Sequence, residues 1–391
     1  MRRTYMQIPG PANVPDSVMD AMRRHPIDHR SPEFAELLAE IKANLKRVFC
    51  APDYDIVMYP ASGTGGMEAA LVNTLSPGSK VLAFNQGVFS ERFASIAKEF
   101  GCDVRLIDLE WGEAVTEGLL YQELTSEYGK GIEAILLTHT ETSTGVSNDL
   151  AMVRRLLDEL SHPALLLVDA VSSLAITPLR TQELRLDVVV SASQKGLMLP
   201  GGLAFVAFSP KAMEAGYTSM LPKGYWDARL MLARNSTGQM PYTPAITLMY
   251  GLQESLRLIL DEEGLEHVWE RHARNAEAVR KAMEAMHLEL LPRDPHSYAY
   301  ALTCARLPIG YEEDVLVDML REYGVSVGGG LARYRGKLIR VGHLGALHEA
   351  EVLAIVSLLE LVFVQYGMPL RFGEAAAAAL QCFAAKKDTQ E

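Results

Sequence analysis

Residues 164–208 read ALLLVDAVSSLAITPLRTQELRLDVVVSASQKGLMLPGGLAFVAF. Three apolar runs, at 164–168, 188–190 and 203–208, have the composition of strands buried on both faces of a sheet. The first interval is long enough for a crossover connection, so the first two runs are predicted to be parallel. The second interval, SASQKGLMLPGG, leaves little room for a crossover helix. We therefore predict that the third run is antiparallel to its neighbour.

Similar runs precede this stretch, and most of the intervals between them have helical patterns. The strand-like runs lie at 56–59, 81–84, 104–107 and 134–137, and helix-like stretches lie at 67–75, 93–100 and 151–160. Such alternation is typical of α/β proteins with right-handed crossovers. The sequence predicts an α/β fold whose main sheet has seven strands and is mainly parallel.

The pattern changes after residue 209. Helical patterns follow at 248–260 and 265–286, strand-like stretches at 298–302 and 338–341, and an alanine-rich helix at 375–385. A chain of 391 residues also exceeds what one hydrophobic core usually organises. We predict an N-terminal segment (1–20), a large domain (21–263) and a smaller α+β domain (264–391).

Composition excludes several classes of partner. The formal net charge of −12 disfavours a protein that tracks nucleic-acid phosphates. The longest apolar run is too short to cross a bilayer, and no signal peptide is evident. The four cysteines form no CxxC pair, and no histidine cluster has metal-ligand spacing. We expect a soluble cytoplasmic protein without a metal, a membrane or a nucleic-acid partner.

The segment 62–66, SGTGG, follows a predicted strand and opens a predicted helix. Free backbone N–H groups at such a helix start can bind a phosphate. A glycine turn that only permits tight strand-to-helix packing is an equally good interpretation of this segment alone. The dinucleotide fingerprint GxGxxG fails because its last position is Glu68, which disfavours a nicotinamide dehydrogenase.

Two charged residues follow later strands. Asp169 ends the run LLLVD, and Lys195 follows the next strand in SQKG. Either residue alone has a simpler interpretation, Asp169 as a helix cap or turn residue and Lys195 as a solvated side chain. Together with segment 62–66 they match what pyridoxal phosphate (PLP) requires: a phosphate site, a carboxylate beside the pyridine nitrogen, and an amine for covalent attachment.

Longer motifs resemble a known family, the class V aminotransferases of PLP fold type I. The matching segments are PGPANVPDSV, IDHRSPEFAEL, YPASGTGGMEAALVNTLSPG, ETSTGVSNDL, HPALLLVDAVSSL, SQKGLMLPGGL, MPYTPAITLMYGLQESL and GKLIRVGHLG. The resemblance extends from residue 8 to about residue 360 and is nearest to the serine:glyoxylate and alanine:glyoxylate branches. It implies a PLP-dependent transfer of the amino group of serine or alanine to glyoxylate or pyruvate, by a homodimer with shared sites.

The resemblance also assigns roles to individual residues. It implies that Lys195 holds the cofactor and carries a proton, that Asp169 pairs with the pyridine nitrogen, and that Arg340 binds the substrate carboxylate. It places segment 1–20 at the active site. The other residues implied to bind the cofactor are Ser62, Gly63, Thr64 and Gln194 at the phosphate, Phe89 and Val171 on the two ring faces, Thr142 at the ring oxygen, and Tyr242 and Thr243 of the partner subunit.

Several of these residues keep a second interpretation. Phe89 and Val171 are also ordinary core residues, and Arg340 is compatible with an exposed edge strand. The segment around Tyr242 and Thr243 also reads as a turn before a helix. Departures at Thr140, Ala192 and 328–330 leave the amino donor open.

The sequence is also compatible with other functions. A different small amino donor, or a PLP-dependent lyase or desulfurase, is the alternative activity. A desulfurase needs a nucleophilic thiol, and the predicted loop 326–333 contains no cysteine. A non-enzymatic remnant of the fold would be expected to have lost Lys195, Asp169 or Arg340, and all three are present.

Overall fold

The computed structural model describes residues 4–385. The strands are β1 (Tyr5–Gln7), β2 (Asp55–Tyr59), β3 (Lys80–Asn85), β4 (Asp103–Asp108), β5 (Ala134–Thr138), β6 (Thr140–Glu141), β7 (Val146–Ser147), β8 (Leu165–Asp169), β9 (Val188–Ala192), β10 (Ala204–Phe208), β11 (Leu302–Arg306), β12 (Val325–Gly329) and β13 (Leu338–Gly342). The helices are α1 (Asp16–Ala21), α2 (Pro32–Val48), α3 (Gly63–Val72), α4 (Val88–Glu99), α5 (Glu117–Thr125), α6 (Leu150–Glu159), α7 (Pro210–Ala215), α8 (Ala228–Asn235), α9 (Ile246–Arg257), α10 (Leu265–Ala285), α11 (Glu313–Glu322), α12 (Glu349–Gln365) and α13 (Glu374–Ala384).

The large sheet has seven strands in the order β2-β10-β9-β8-β5-β3-β4. All neighbours are parallel except β10, which runs antiparallel to both β2 and β9. The central strands β5, β8, β9 and β10 are buried along their whole length, which is why their sequences are apolar without alternation. The α/β fold, the mainly parallel seven-stranded sheet and the antiparallel run 203–208 are confirmed.

A second sheet has the order β1-β12-β13-β11. Strand β13 runs antiparallel to both β12 and β11, while β1 pairs in parallel with β12. Buried apolar residues of α10, α11, α12 and α13 join those of this sheet in one cluster, which extends from Ala278 to Ala379. A separate and larger cluster extends from Val18 to Trp269 around the seven-stranded sheet. The boundaries at 20/21 and 263/264 stay a prediction.

The start of the chain joins the two sheets. Strand β1 lies at one side of the small sheet, and the loop that follows it reaches the large sheet, where the Ala12 N–H donates to the carbonyl oxygen of Gln194 (2.8 Å). Residues 1–3 of the predicted N-terminal segment and residues 386–391 of the predicted small domain lie outside the described residues. Between residues 4 and 385, no helix has both the length and the apolar character needed to cross a membrane.

Two predictions in the small sheet were wrong. The strand expected at 298–302 is β11 (Leu302–Arg306), because pairing with β13 begins only at Leu302. The first half of the loop expected at 326–333 belongs to strand β12, although glycine disfavours strands. A Cβ at Gly328 would lie 2.8 Å from Cδ of Pro9, so the bare backbone is what allows the N-terminal loop to pack there.

Candidate active site

The predicted phosphate site lies at the start of α3. Ser62 precedes the helix in an extended conformation, and its side chain makes no capping hydrogen bond. The first N–H groups of a helix have no partner inside it and carry a partial positive charge. A Cβ at Gly63 would lie 2.8 Å from Cγ2 of Val171, so glycine lets the helix start approach the chain that follows β8. This end of α3 is therefore open to an anion.

One cavity of about 290 Å³ brings most of the predicted residues together. Larger cavities, of about 440, 560 and 1040 Å³, contain none of the predicted residues. We assign the chemistry to the smaller cavity because its charged groups are buried and convergent. The predicted residues that line it are Ser62, Gly63, Thr64, Phe89, Asp169, Val171, Gln194 and Lys195.

Asp169 is the last residue of β8 and is only 4% exposed. Its Oδ1 accepts a hydrogen bond from the Val171 N–H (2.9 Å). Burial raises the pKa of Asp169 to about 7, and the Val171 N–H only partly opposes this effect. The carboxylate therefore gains stability from any positive charge placed beside it in the cavity.

Lys195 lies in the turn after β9 and is also buried. Its amine donates a hydrogen bond to the carbonyl oxygen of Pro9, in the N-terminal loop. Burial lowers the pKa of Lys195 to about 8, against the opposing attraction of Asp169. A sizeable fraction of this amine is neutral, and thus nucleophilic, near neutral pH.

These residues fit a phosphorylated pyridine aldehyde. Oε1 of Gln194 is buried without a hydrogen-bond partner in the described chain, although the side chain lines the cavity. The open start of α3 lies in the same cavity as the amine of Lys195 and the carboxylate of Asp169. An aromatic residue, Phe89, and an aliphatic one, Val171, line it too, as flat ligands require.

Arg340 lies on β13, an inner strand of the small sheet, and is near enough to Lys195 for its charge to help lower the pKa of that amine. It is buried, and its Nε and Nη1 donate to the carbonyl oxygens of Gly329 (2.6 Å) and Thr142 (2.9 Å). Within residues 4–385 no carboxylate forms an ion pair with it, and burial lowers its pKa. The structure excludes the exposed edge strand for Arg340, because β13 lies between β12 and β11.

Besides Arg340, three predicted residues lie outside the cavity lining. Thr142 is buried, and its carbonyl oxygen accepts a hydrogen bond from Arg340. The ring of Tyr242 stacks on Tyr225, with 4.8 Å between the ring centroids. The cavity of a single chain contains neither Tyr242 nor Thr243, and their predicted place in the site of a partner subunit stays a prediction.

Sequence reasoning missed Glu141 and Arg92. Glu141 is fully buried beneath the cavity, and its carboxylate accepts the N–H of Phe89 (3.0 Å). Arg92 lines the cavity, with its guanidinium 5.1 Å from the centroid of the Phe89 ring. Glu141 begins the segment ETSTG, three residues after the apolar strand β5 ends, and an acid so close to a buried strand is a signal that the sequence offered.

A mainly parallel seven-stranded sheet that holds a buried lysine and aspartate in one cavity is the arrangement of the PLP enzymes of fold type I. The family model of the class-V aminotransferases matches residues 4–335, and the chain belongs to this family.

Its relatives cover almost the whole chain. It is 42% identical to the L-aspartate–glyoxylate aminotransferase of Paracoccus denitrificans over 95% of this chain and 94% of the relative. It is 38% identical to the serine–glyoxylate aminotransferase of Arabidopsis thaliana over 96% and 94%. The crystal structure of an alanine–glyoxylate aminotransferase from Nostoc sp. superposes with a TM-score of 0.87 at 32% identity, covering 93% of this chain and 96% of that one.

Proposed function

We propose that the protein binds PLP in the cavity around Lys195 and transfers the amino group of a small amino acid to glyoxylate. The observation that carries the proposal is the cavity itself, which holds a buried amine with a lowered pKa, a buried carboxylate and an open helix start. Each of these groups answers one requirement of the cofactor. The names of the relatives support glyoxylate as the amino acceptor.

The residues at the two ends of the cavity have different tasks. The N–H groups at the start of α3, with Ser62, Thr64 and Gln194, bind the phosphate, and Phe89 and Val171 pack on the two faces of the ring. The Thr142 hydroxyl bonds the ring oxygen. Asp169 keeps the pyridine nitrogen protonated, since a positive charge beside this carboxylate offsets the burial that raises its pKa. When bound, PLP supplies a sink for the electrons left behind when the substrate Cα loses its proton.

Lys195 has two consecutive tasks. Its neutral amine first holds the cofactor covalently, which requires that it leave the carbonyl oxygen of Pro9. With PLP and substrate bound, Nζ of Lys195 would accept the proton from the substrate Cα and return it at the second reacting carbon. The lowered pKa of Lys195 suits this role, because a base with a pKa near the working pH can both take and give the proton.

Arg340 binds the substrate carboxylate. Two backbone carbonyl oxygens fix its Nε and Nη1, so the guanidinium is already oriented before the substrate arrives. Without a carboxylate partner of its own within the described chain, this buried charge gains an ion pair on binding. The planar fork can contact both carboxylate oxygens together.

The amino donor has two candidates. Serine or alanine fits a site with one carboxylate-binding arginine, and the serine–glyoxylate relatives favour this donor. Aspartate needs a second cation, and Arg92 offers one: it lines the cavity, and no acidic partner of its side chain occurs in the described part of the chain. The aspartate–glyoxylate relative favours this second candidate.

A panel of donors and acceptors tests the function and separates the two candidates. We expect serine and alanine to donate to glyoxylate, serine somewhat better, with kcat/KM measured for each pair against pyruvate as the alternative acceptor. If aspartate is the better donor, Arg92→Gln should raise KM for aspartate and leave KM for alanine unchanged. Absence of amino transfer to glyoxylate from all three donors would contradict the proposal.

A desulfurase is disfavoured by the state of the thiols. Cys304, which pairs with Arg340 across β11 and β13, is fully buried. Burial raises its pKa to about 12, so the nucleophilic thiolate is scarce at neutral pH. Incubation with cysteine should release no sulfide, and sulfide release would favour the desulfurase instead.

A homodimer with shared sites completes the proposal. In it, Tyr242 and Thr243 of the partner subunit reach the cofactor phosphate; in the single chain Tyr242 is half-buried and Thr243 is exposed. Mixing a Lys195→Ala chain with a chain carrying Tyr242→Phe and Thr243→Ala should restore activity, because some dimers then contain one undamaged composite site. No recovery in proven heterodimers would count against sharing.

A further inference from the structure

Glu141, the last residue of the short strand β6, has a carboxylate that is fully used. Oε2 accepts the backbone N–H groups of Phe89 (3.0 Å) and Ser90 (2.8 Å). Oε1 accepts the backbone N–H (3.0 Å) and the hydroxyl (2.7 Å) of Ser143. The residue has no exposed surface, and no salt bridge to it occurs among residues 4–385. A buried carboxylate of this kind depends on its hydrogen-bond donors for stability.

The donors come from two different parts of the site. Phe89 and Ser90 belong to the first turn of α4, where a negative charge is also favoured by the helix dipole. Ser143 belongs to the turn after β6, and the residue before it, Thr142, holds Arg340 through its carbonyl oxygen (2.9 Å). One carboxylate therefore links the aromatic residue of the cofactor site to the turn that orients the substrate arginine.

The surrounding packing shows that this link is tight. Oγ of Ser143 also accepts the N–H of Val88 (3.0 Å), which adds a second connection between the turn and α4. A Cβ at Gly87 would lie 2.6 Å from the Glu141 side chain, so glycine is required where α4 begins. Neither segment can shift without breaking hydrogen bonds that are shielded from water.

We infer that Glu141 is a positioning residue that keeps Phe89 and Arg340 at a fixed separation. The pyridine ring on Phe89 and the substrate carboxylate on Arg340 are thereby held in a fixed relative position. The inference rests on the proposed function, which gives Phe89 and Arg340 their partners. A carboxylate is required because all four contacts are made by donors. Glutamine would turn an NH₂ group toward one pair of them and leave those donors without an acceptor.

Glu141→Gln tests this role. We expect kcat/KM for the amino donor to fall about 10- to 100-fold, the loss expected for hydrogen bonds to a charged group, with KM raised as Arg340 loses its orientation. The circular dichroism of bound PLP should change as Phe89 shifts on the ring. In the cofactor-free protein, amide exchange at Phe89, Ser90 and Ser143 should become faster, a result that does not depend on any activity.

Glu360→Gln is the matched control. Glu360 is also a buried carboxylate that accepts two backbone N–H groups, those of Gly373 and Ala375 (both 2.8 Å), at the start of α13. We expect it to lower the melting temperature without changing KM or the cofactor dichroism. If Glu141→Gln behaves in the same way as Glu360→Gln, Glu141 is only structural and the inference is wrong.

Ser143→Ala keeps the test decisive if Glu141→Gln does not fold. It removes one of the four donors and should reproduce the same three changes in a smaller, few-fold form. Unchanged dichroism, amide exchange and KM in this variant would overturn the inference. A wild-type protein that binds PLP but transfers nothing to glyoxylate would contradict the proposed function instead, because the dichroism and exchange results would still report on Glu141.

Discussion

The two sheets hold their charged residues in opposite ways. At the end of the large sheet, burial moves the pKa of Asp169 up to about 7 and that of Lys195 down to about 8. In the small sheet, Arg340 is also buried and its pKa is lowered, yet a guanidinium stays charged at any working pH. In the proposed function, the groups that exchange protons or change partners lie on the first sheet, and the group that offers a constant charge to an anion lies on the second.

The largest expected effect is that of Lys195→Ala, which tests the charged residues of the large sheet. We expect turnover to fall by at least about 10²- to 10⁴-fold, the contribution of a positioned proton carrier, while PLP still binds without a covalent bond. Activity assays and the visible absorption spectrum check the two statements separately. Normal turnover in this variant would remove Lys195 from the chemistry altogether.

Arg340→Lys tests the charged residue of the small sheet and leaves Asp169 and Lys195 of the large sheet unchanged. We expect kcat/KM for the amino donor to fall by about 1.5 to 3 kcal/mol, or roughly 10- to 150-fold, because a point charge replaces a planar fork that two carbonyl oxygens hold in place. The absorption spectrum of bound PLP should stay as in the wild type. Unchanged kinetics for every carboxylate substrate would show that Arg340 does not bind the substrate carboxylate.

The pH dependence of cofactor uptake sharpens the contrast. Only the neutral amine of Lys195 attacks the aldehyde, so the rate of PLP incorporation should rise about tenfold per pH unit below pH 8 and level off above it. Stopped-flow absorbance of the cofactor-free protein measures this rate. Asp169→Asn removes a charge that favours the protonated amine and should move the midpoint to lower pH; an unmoved midpoint would argue that the two groups do not interact.

The smallest expected effect is that of a substitution at Thr142, a residue with a contact to Arg340 and a predicted contact to the cofactor. Its carbonyl oxygen holds Arg340, while its hydroxyl is the predicted partner of the ring oxygen. Thr142→Val keeps the carbonyl and removes the hydroxyl, so PLP affinity should fall only about 2- to 10-fold while KM for the amino donor stays constant. An equilibrium titration with PLP, beside steady-state kinetics, tests this separation.

Sequence reasoning succeeded where a side chain follows a long apolar strand. Asp169 ends β8 and Lys195 follows β9, so the strand pattern located both at the edge where open α/β sheets bind ligands. The small sheet gave weaker signals. Strand β12 ends in glycines, and β1 has only three residues, so neither shows the periodicity on which strand prediction depends.

The hydrogen bonds of the site could not be predicted for a different reason. Glu141 contacts α4 across more than 50 residues, and Arg340 contacts Thr142 across 198. Such contacts depend on how elements far apart in the sequence pack against each other, which no local pattern encodes. Resemblance to a family located Arg340, but the carbonyl oxygens that hold it came only from the structure.

The pairing of β1 has a consequence for how the protein is made. Tyr5 pairs with Val325, more than three hundred residues further along the chain, and the carbonyl oxygen that meets Lys195 belongs to Pro9, just beyond the same strand. During synthesis from the N-terminus, β1 has no strand to pair with until β12 has been translated. The contacts at the start of the chain are thus completed in two stages: the hydrogen bond from Ala12 to Gln194 needs only the first half of the chain, whereas the pairing of β1 needs β12 as well.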